Sequence, residues 1–113
     1  MRLYSFLFFI LLSCMLKAQT NKSSLIALSQ QILLAVKTGE PSDTLEQLLQ
    51  VTSFIQLKEQ LKTDDEKKAF WLNIYNAYTQ LLLQKNPEAY QQRNKFFKAK
   101  QILIAGKLFS LDL

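Results

Sequence analysis

Four stretches with apolar residues at helical spacing, followed by two short apolar runs around a single glycine, predict a mainly α protein. We read a small helical domain with a short C-terminal β-hairpin, the outline of an incomplete α+β domain. From Ser24 to about Lys37 the residues Leu25, Ile26, Leu28, Ile32, Leu33 and Val36 recur at that spacing, with Ser23 or Ser24 as cap and Gly39 just beyond the end. Pro41 then breaks the chain, and Ser42 or Asp43 is placed to cap a second helix through Leu45, Leu48, Leu49 and Val51. A third segment carries Phe54, Ile55, Leu57 and Leu61 on its apolar side.

Thr63-Asp64-Asp65-Glu66 fits a capping box, with the Thr63 hydroxyl serving the Glu66 amide and the Glu66 carboxylate serving the Thr63 amide. Two further carboxylates in that turn suit the helix dipole. Read as calcium ligands, the same acids lack the spaced loop, glycine and terminal glutamate such a site needs. The helix so capped runs from Asp64 to Lys85 and stops at Asn86-Pro87. Glu88 to Lys95 then reads as a short helix or an irregular crossing. Gln101–Ala105 and Leu108–Leu111 read as strands around Gly106, without a strong two-residue turn signature. A lone hairpin of this kind is marginal in water and needs other elements to pack on.

Within the long helix, Asn73, Asn76, Gln80 and Gln84 form one polar stripe of roughly 80°, while nearly everything else from Phe70 to Leu83 is apolar. Such a helix is expected to be covered on most of its circumference. Its asparagines then need hydrogen-bond partners, in a buried polar network or along a cleft. Asn73, Tyr75 and Asn76 are therefore the candidate site residues, and the competing reading makes the asparagines structural and the aromatics core.

The run Ala69 to Ala77, AFWLNIYNA, together with Gly106-Lys107-Leu108-Phe109-Ser110-Leu111, resembles the bacterial family catalogued as domain of unknown function 547. The resemblance covers roughly Leu45 to Leu113. In that family the Ser-Leu-Asp segment leads into a further helix and a long second half with a Cys-bearing segment. The resemblance therefore implies that this chain, stopping at Leu113, is the N-terminal portion of a larger domain, and it carries over no catalytic residue.

Residues 1–19 have the order of a secretory signal peptide: Arg2, the apolar run Phe6 to Leu12, and the small residue Ala18. The apolar run is too short to span a bilayer comfortably. Cleavage near Gln19 leaves residues 20–113, enough for one small domain, exported to the periplasm or secreted. A rival within the segment is Leu11-Leu12-Ser13-Cys14, an approximate lipoprotein box in which Cys14 is lipidated. Cys14 is the sole cysteine and there is no histidine, which excludes intrachain disulfides and His-dependent triads and removes the usual zinc ligands. No cofactor or metal site is called from the sequence.

Without Arg2 and Lys17 the chain carries 12 basic and 9 acidic side chains, a mild excess. Much of that excess lies between Arg93 and Lys107, where Lys95, Lys98 and Lys100 surround Phe96 and Phe97. That pattern has two readings: phosphate contact with base stacking, or phenylalanines anchoring the following strand beneath solvating lysines. Export favours the second and argues against a nucleic-acid partner. Two functions remain: a portion of a family domain without independent catalysis, or a small interaction module binding a protein partner or itself through apolar surface around Phe96, Phe97 and Phe109. An enzymatic role for the full family domain would use the Asn73 stripe as one cleft wall; this chain supplies no carboxylate or histidine at a recognisable spacing opposite it.

Overall fold

The computed structural model describes residues 24–112. The signal-peptide reading of residues 1–19, and with it lipidation at Cys14, lies outside the described residues. The order is α1 (Ser24–Thr38), α2 (Asp43–Val51), α3 (Phe54–Gln60), α4 (Asp64–Lys85), a 3-10 helix (Pro87–Gln92), α5 (Arg93–Lys98), β1 (Ile102–Ile104) and β2 (Lys107–Phe109). The mainly helical fold with a C-terminal hairpin is as the sequence predicts. Among the described residues no helix is long and apolar enough to cross a membrane.

Local chemistry sets most of the boundaries. Gly39 takes φ +75°, the Glu40 amide donates to the Ala35 carbonyl at 2.8 Å and the Gly39 amide to Val36 at 3.3 Å, a Schellman stop for α1. The α4 start is the expected box: the Glu66 amide donates to Thr63 Oγ1, and the Thr63 amide to Glu66 Oε1, each at 3.1 Å. The Thr63 hydroxyl also donates to that carboxylate at 2.9 Å. These bonds, the hydroxyl's first and the amide's second, hold the Glu66 carboxyl below its ordinary pKa. Glu66 is thus a capping residue, and Asp64 and Asp65 stand beside it in the first turn.

Three details depart from the sequence reading. Ser42 sits at the α2 N-cap but makes no capping bond, its hydroxyl donating instead to Glu46 Oε2 at 2.8 Å. Ser53 and Gln56 form a second capping box, whose Ser-x-x-Gln signal is present in the sequence. The N-terminus of α1 is capped from a distance, by Gln60 Oε1 accepting from Ser24 Oγ at 2.6 Å and from the Leu25 amide at 3.0 Å.

The core lies where α1 crosses α4, the most extensive helix pairing in the molecule. Ile32, Leu49, Phe70, Ile74, Ala77 and Ile104 are fully buried there or beside it. The hairpin joins by its tip. Ile104 pairs with Lys107 across the two-residue loop Ala105-Gly106, whose φ values of +52° and +72° are those of a primed turn. Alanine is a poor residue for that first position, which is why the sequence carried no clear turn signature. The loop is held by tertiary bonds: the Ala105 amide donates to Leu49 O at 3.1 Å and the Gly106 amide to Gln50 O at 3.2 Å. Those acceptors are last-turn carbonyls of α2, which have no partner within their own helix.

Phe96 is buried, and Phe97 is half-buried with its ring stacked on Tyr75 at 6.0 Å between centroids. Phe109 is half-buried against Trp71 at 5.4 Å. The phenylalanines therefore anchor α5 and the hairpin to α4, as one sequence reading held. The exposed apolar surface expected around Phe96, Phe97 and Phe109 is narrower than the sequence suggests, because Phe96 is buried and these contacts cover part of Phe97 and Phe109.

Candidate functional site

From Ala69 to Leu83 every residue of α4 is at least half-covered except Gln80 and Leu72. Gln80 belongs to the polar stripe and its exposure is ordinary. Leu72 is an apolar side chain, 60% exposed, between the half-buried rings of Trp71 and Tyr75. Lys68, Trp71, Leu72 and Tyr75 are spaced i, i+3, i+4, i+7, so they form one stripe along the helix. On its inner side α4 buries Phe70, Ile74, Ala77 and Tyr78.

The stripe borders a groove. Lys68, Trp71, Leu72, Tyr75, Leu111 and Asp112 line a concavity of about 440 Å³. A second one of about 320 Å³ continues from Tyr75, Leu111 and Asp112 to Asn94, Phe97 and Lys98. The wall formed by the segment after β2 is fixed because the Asp112 amide donates to Phe97 O at 2.9 Å, while Leu111 is buried beneath it. Aromatic and aliphatic groups form the floor, and Lys68, Asp112 and Lys98 stand around it. The arrangement suits binding: a partly apolar surface with charged groups around it is the anatomy of a docking site.

The three candidate residues are placed differently from one another. Asn73 Nδ2 donates at 3.1 Å to Ser29 Oγ in α1, and the fully buried Ser29 hydroxyl in turn donates to Ile26 O at 2.7 Å. Tyr75 lies about 200° further round the helix and stacks on Phe97 in α5, beside the groove. Asn76 is half-covered between them. Sequence reasoning missed Leu72, Leu111 and Asp112 as groove residues. The i, i+3, i+4, i+7 spacing of Lys68 to Tyr75 was a usable signal, whereas the approach of Leu111 and Asp112 was not a local property.

Tyr78 is the other unusual group. It is 6% exposed and its enclosed hydroxyl has no hydrogen-bond partner among the described residues. Burial, then the nearby Glu46 charge, pushes its pKa far above the ordinary tyrosine value. Leaving such a hydroxyl unpaired is unfavourable, so Tyr78→Phe is expected to stabilise the protein by about 1 kcal/mol, read as a higher Tm at neutral pH. The folded-state pKa is raised, so the native state retains a proton that the unfolded chain releases above about pH 10. Stability referred to this group is complete below that pH and falls as pH rises beyond it. Melts of both proteins across the alkaline range should show a steeper loss in the parent than in Tyr78→Phe.

Among the described residues no group of three or more histidine, cysteine, aspartate or glutamate side chains is arranged to hold a metal ion. The described residues form a small, mainly helical fold with a hairpin docked on one helix end and, beside the longest helix, a groove that none of them covers. Residues 58–113 match the family described as protein of unknown function, DUF547, and this stretch is consistent with a domain of that family. The match takes in α4, α5, the hairpin and the groove, and starts later than the Leu45 suggested by the sequence landmarks. No curated protein and no solved structure matches the chain.

Proposed function

We propose that this chain is an exported, non-catalytic helical module of the DUF547 family, and that the α4 groove is where it docks further polypeptide. The reading that this polypeptide is the remainder of a longer family domain, for which the chain is the N-terminal portion, belongs to the same proposal. The observation that carries docking is Leu72, an exposed aliphatic side chain on a helix otherwise covered from Ala69 to Leu83 apart from Gln80. Transferring a leucine side chain out of water is favourable by roughly 1.5–3 kcal/mol, and the adjoining concavity lies ready to receive one.

Export is supported by the order of Arg2, the Phe6–Leu12 run and Ala18. The non-catalytic reading rests on the residues at the groove. Tyr75 is stacked, Asn73 is tied to Ser29, and among the described residues Lys68 and Asp112 stand without a histidine or thiol to complete a nucleophile and base pair. A separate protein partner is the second form of the proposal, favoured by Lys68 and Asp112, since charged groups around an apolar floor are typical of an interface rim.

A photo-crosslinking residue in place of Leu72 tests this in cells, with one at Gln84, exposed on the polar stripe, as control. Crosslinking from position 72 and not from 84 is the expected result. In a chain of the same reading frame extended by more family domain, the crosslink is expected to be internal. Failure of position 72 to crosslink to any polypeptide, internal or separate, would sink the docking reading.

A further inference from the structure

We infer that the groove is self-complementary and that its occupant is a second copy of this chain, paired across a two-fold axis close to Leu72. The inference rests on the docking reading above in its separate-partner form, and names that partner. Three features of the same surface fit one another. Leu72 projects, at 60% exposure, beside a concavity of about 440 Å³ walled by Trp71, Tyr75 and Leu111. A projecting side chain and a hollow on one face are what a two-fold interface requires, because each copy then supplies the knob for the other's hole. Lys68 and Asp112 line that same concavity with opposite charges. Antiparallel apposition of the two α4 stripes about Leu72 sets Lys68 of each copy against Asp112 of the other.

Among the described residues the remaining charged group at the groove is Lys98, which lines the adjoining concavity with Asn94. It leaves each groove with two ammonium groups around one carboxylate, a residual like-charge term that weakens the pair. A single groove per copy is also small beside the roughly 800 Å² per partner of a standard interface. Both considerations place the expected dissociation constant in the micromolar range rather than tighter.

Sedimentation equilibrium on the purified protein, in the form in which it accumulates, reads the association directly. The parent is expected to pass from monomer to dimer as concentration rises, with no larger species, because a two-fold interface closes. Leu72→Glu should abolish the dimer while leaving the melting transition in place, since that side chain is already exposed. Lys68→Glu and Asp112→Lys should each weaken association about tenfold, because reversal turns two symmetry-related attractions into repulsions. The double variant, with the pair swapped, should recover to near the parent value. That recovery is the decisive result, as loss of fold or of general solubility would not be repaired by a second charge change. A parent that stays monomeric at every concentration, or a dimer indifferent to the charge changes, overturns the inference. If the parent is monomeric yet position 72 crosslinks to a different polypeptide, docking stands and self-pairing falls; if neither occurs, both fall.

Discussion

Phe70→Ala is expected to cost about 3–5 kcal/mol, a change that removes much of the stability a small domain has, given totals of roughly 5–15 kcal/mol. Phe70 is wholly buried on the inner face of α4, and its ring meets Trp71 edge-on at 4.9 Å between centroids, 84° between planes. Deleting the ring therefore opens a cavity in the core and also removes the support that holds Trp71 against Phe109 and the groove. Thermal unfolding should show Tm falling by at least about 12 °C. The comparison that identifies the mechanism is Tyr90→Ala. Tyr90 is 47% exposed, with the Arg93 guanidinium 5.6 Å from its ring centre, and losing one exposed cation–π contact is worth only about 0.5–1 kcal/mol. A Phe70→Ala protein that melted within a few degrees of the parent would show that the α1–α4 interface is not where the cooperative core lies.

How far the sequence went follows from the range over which each cause acts. Gly39, the Thr63–Glu66 box and Asn86-Pro87 act within one helical turn, so the limits of α1 and α4 were legible residue by residue. The Ser53–Gln56 box acts at the same range and was equally available. The capping of α1 by Gln60, across 35 residues of chain, and the seating of the Ala105-Gly106 turn on the α2 carbonyls depend on the assembled fold. Neither has a local signature. The site shows the same division. The polar stripe sets Asn73 apart from its apolar neighbours, but only the fold reveals that its partner is Ser29, 44 residues away. Tyr75 belongs to the same sequence reading, yet its place at the groove comes from Phe97, Leu111 and Asp112, which the hairpin and α5 bring to it. Periodicity predicts that a helix face is apolar; whether another segment covers that face is a property of topology. That is why Leu72, unremarked in the sequence, becomes the most informative side chain on the helix.

The hairpin offers a second large effect, and one that tests the register on which the groove depends. Ile104 pairs with Lys107 and is fully buried, whereas Leu103 pairs with Leu108 on the opposite face, with exposures of 37% and 56%. Side chains alternate along a strand, so a one-residue slip would exchange the two faces. In the observed register Ile104→Ala should cost about 2–5 kcal/mol, while Leu103→Ser should change stability by no more than about 0.5–1 kcal/mol. The difference is expected to be large because three elements converge on Ile104: the turn it precedes is bonded to Leu49 O and Gln50 O, Leu49 is itself fully buried, and β2 leads through Phe109 to the Trp71 contact. Loosening the strand at Ile104 should therefore also loosen the segment that carries Leu111 and Asp112, and hydrogen exchange at the Asp112 amide, bonded to Phe97 O, should quicken along with the loss of stability. Equal costs for the two substitutions would place the hairpin in a different register and would remove the groove wall on which the docking proposal stands.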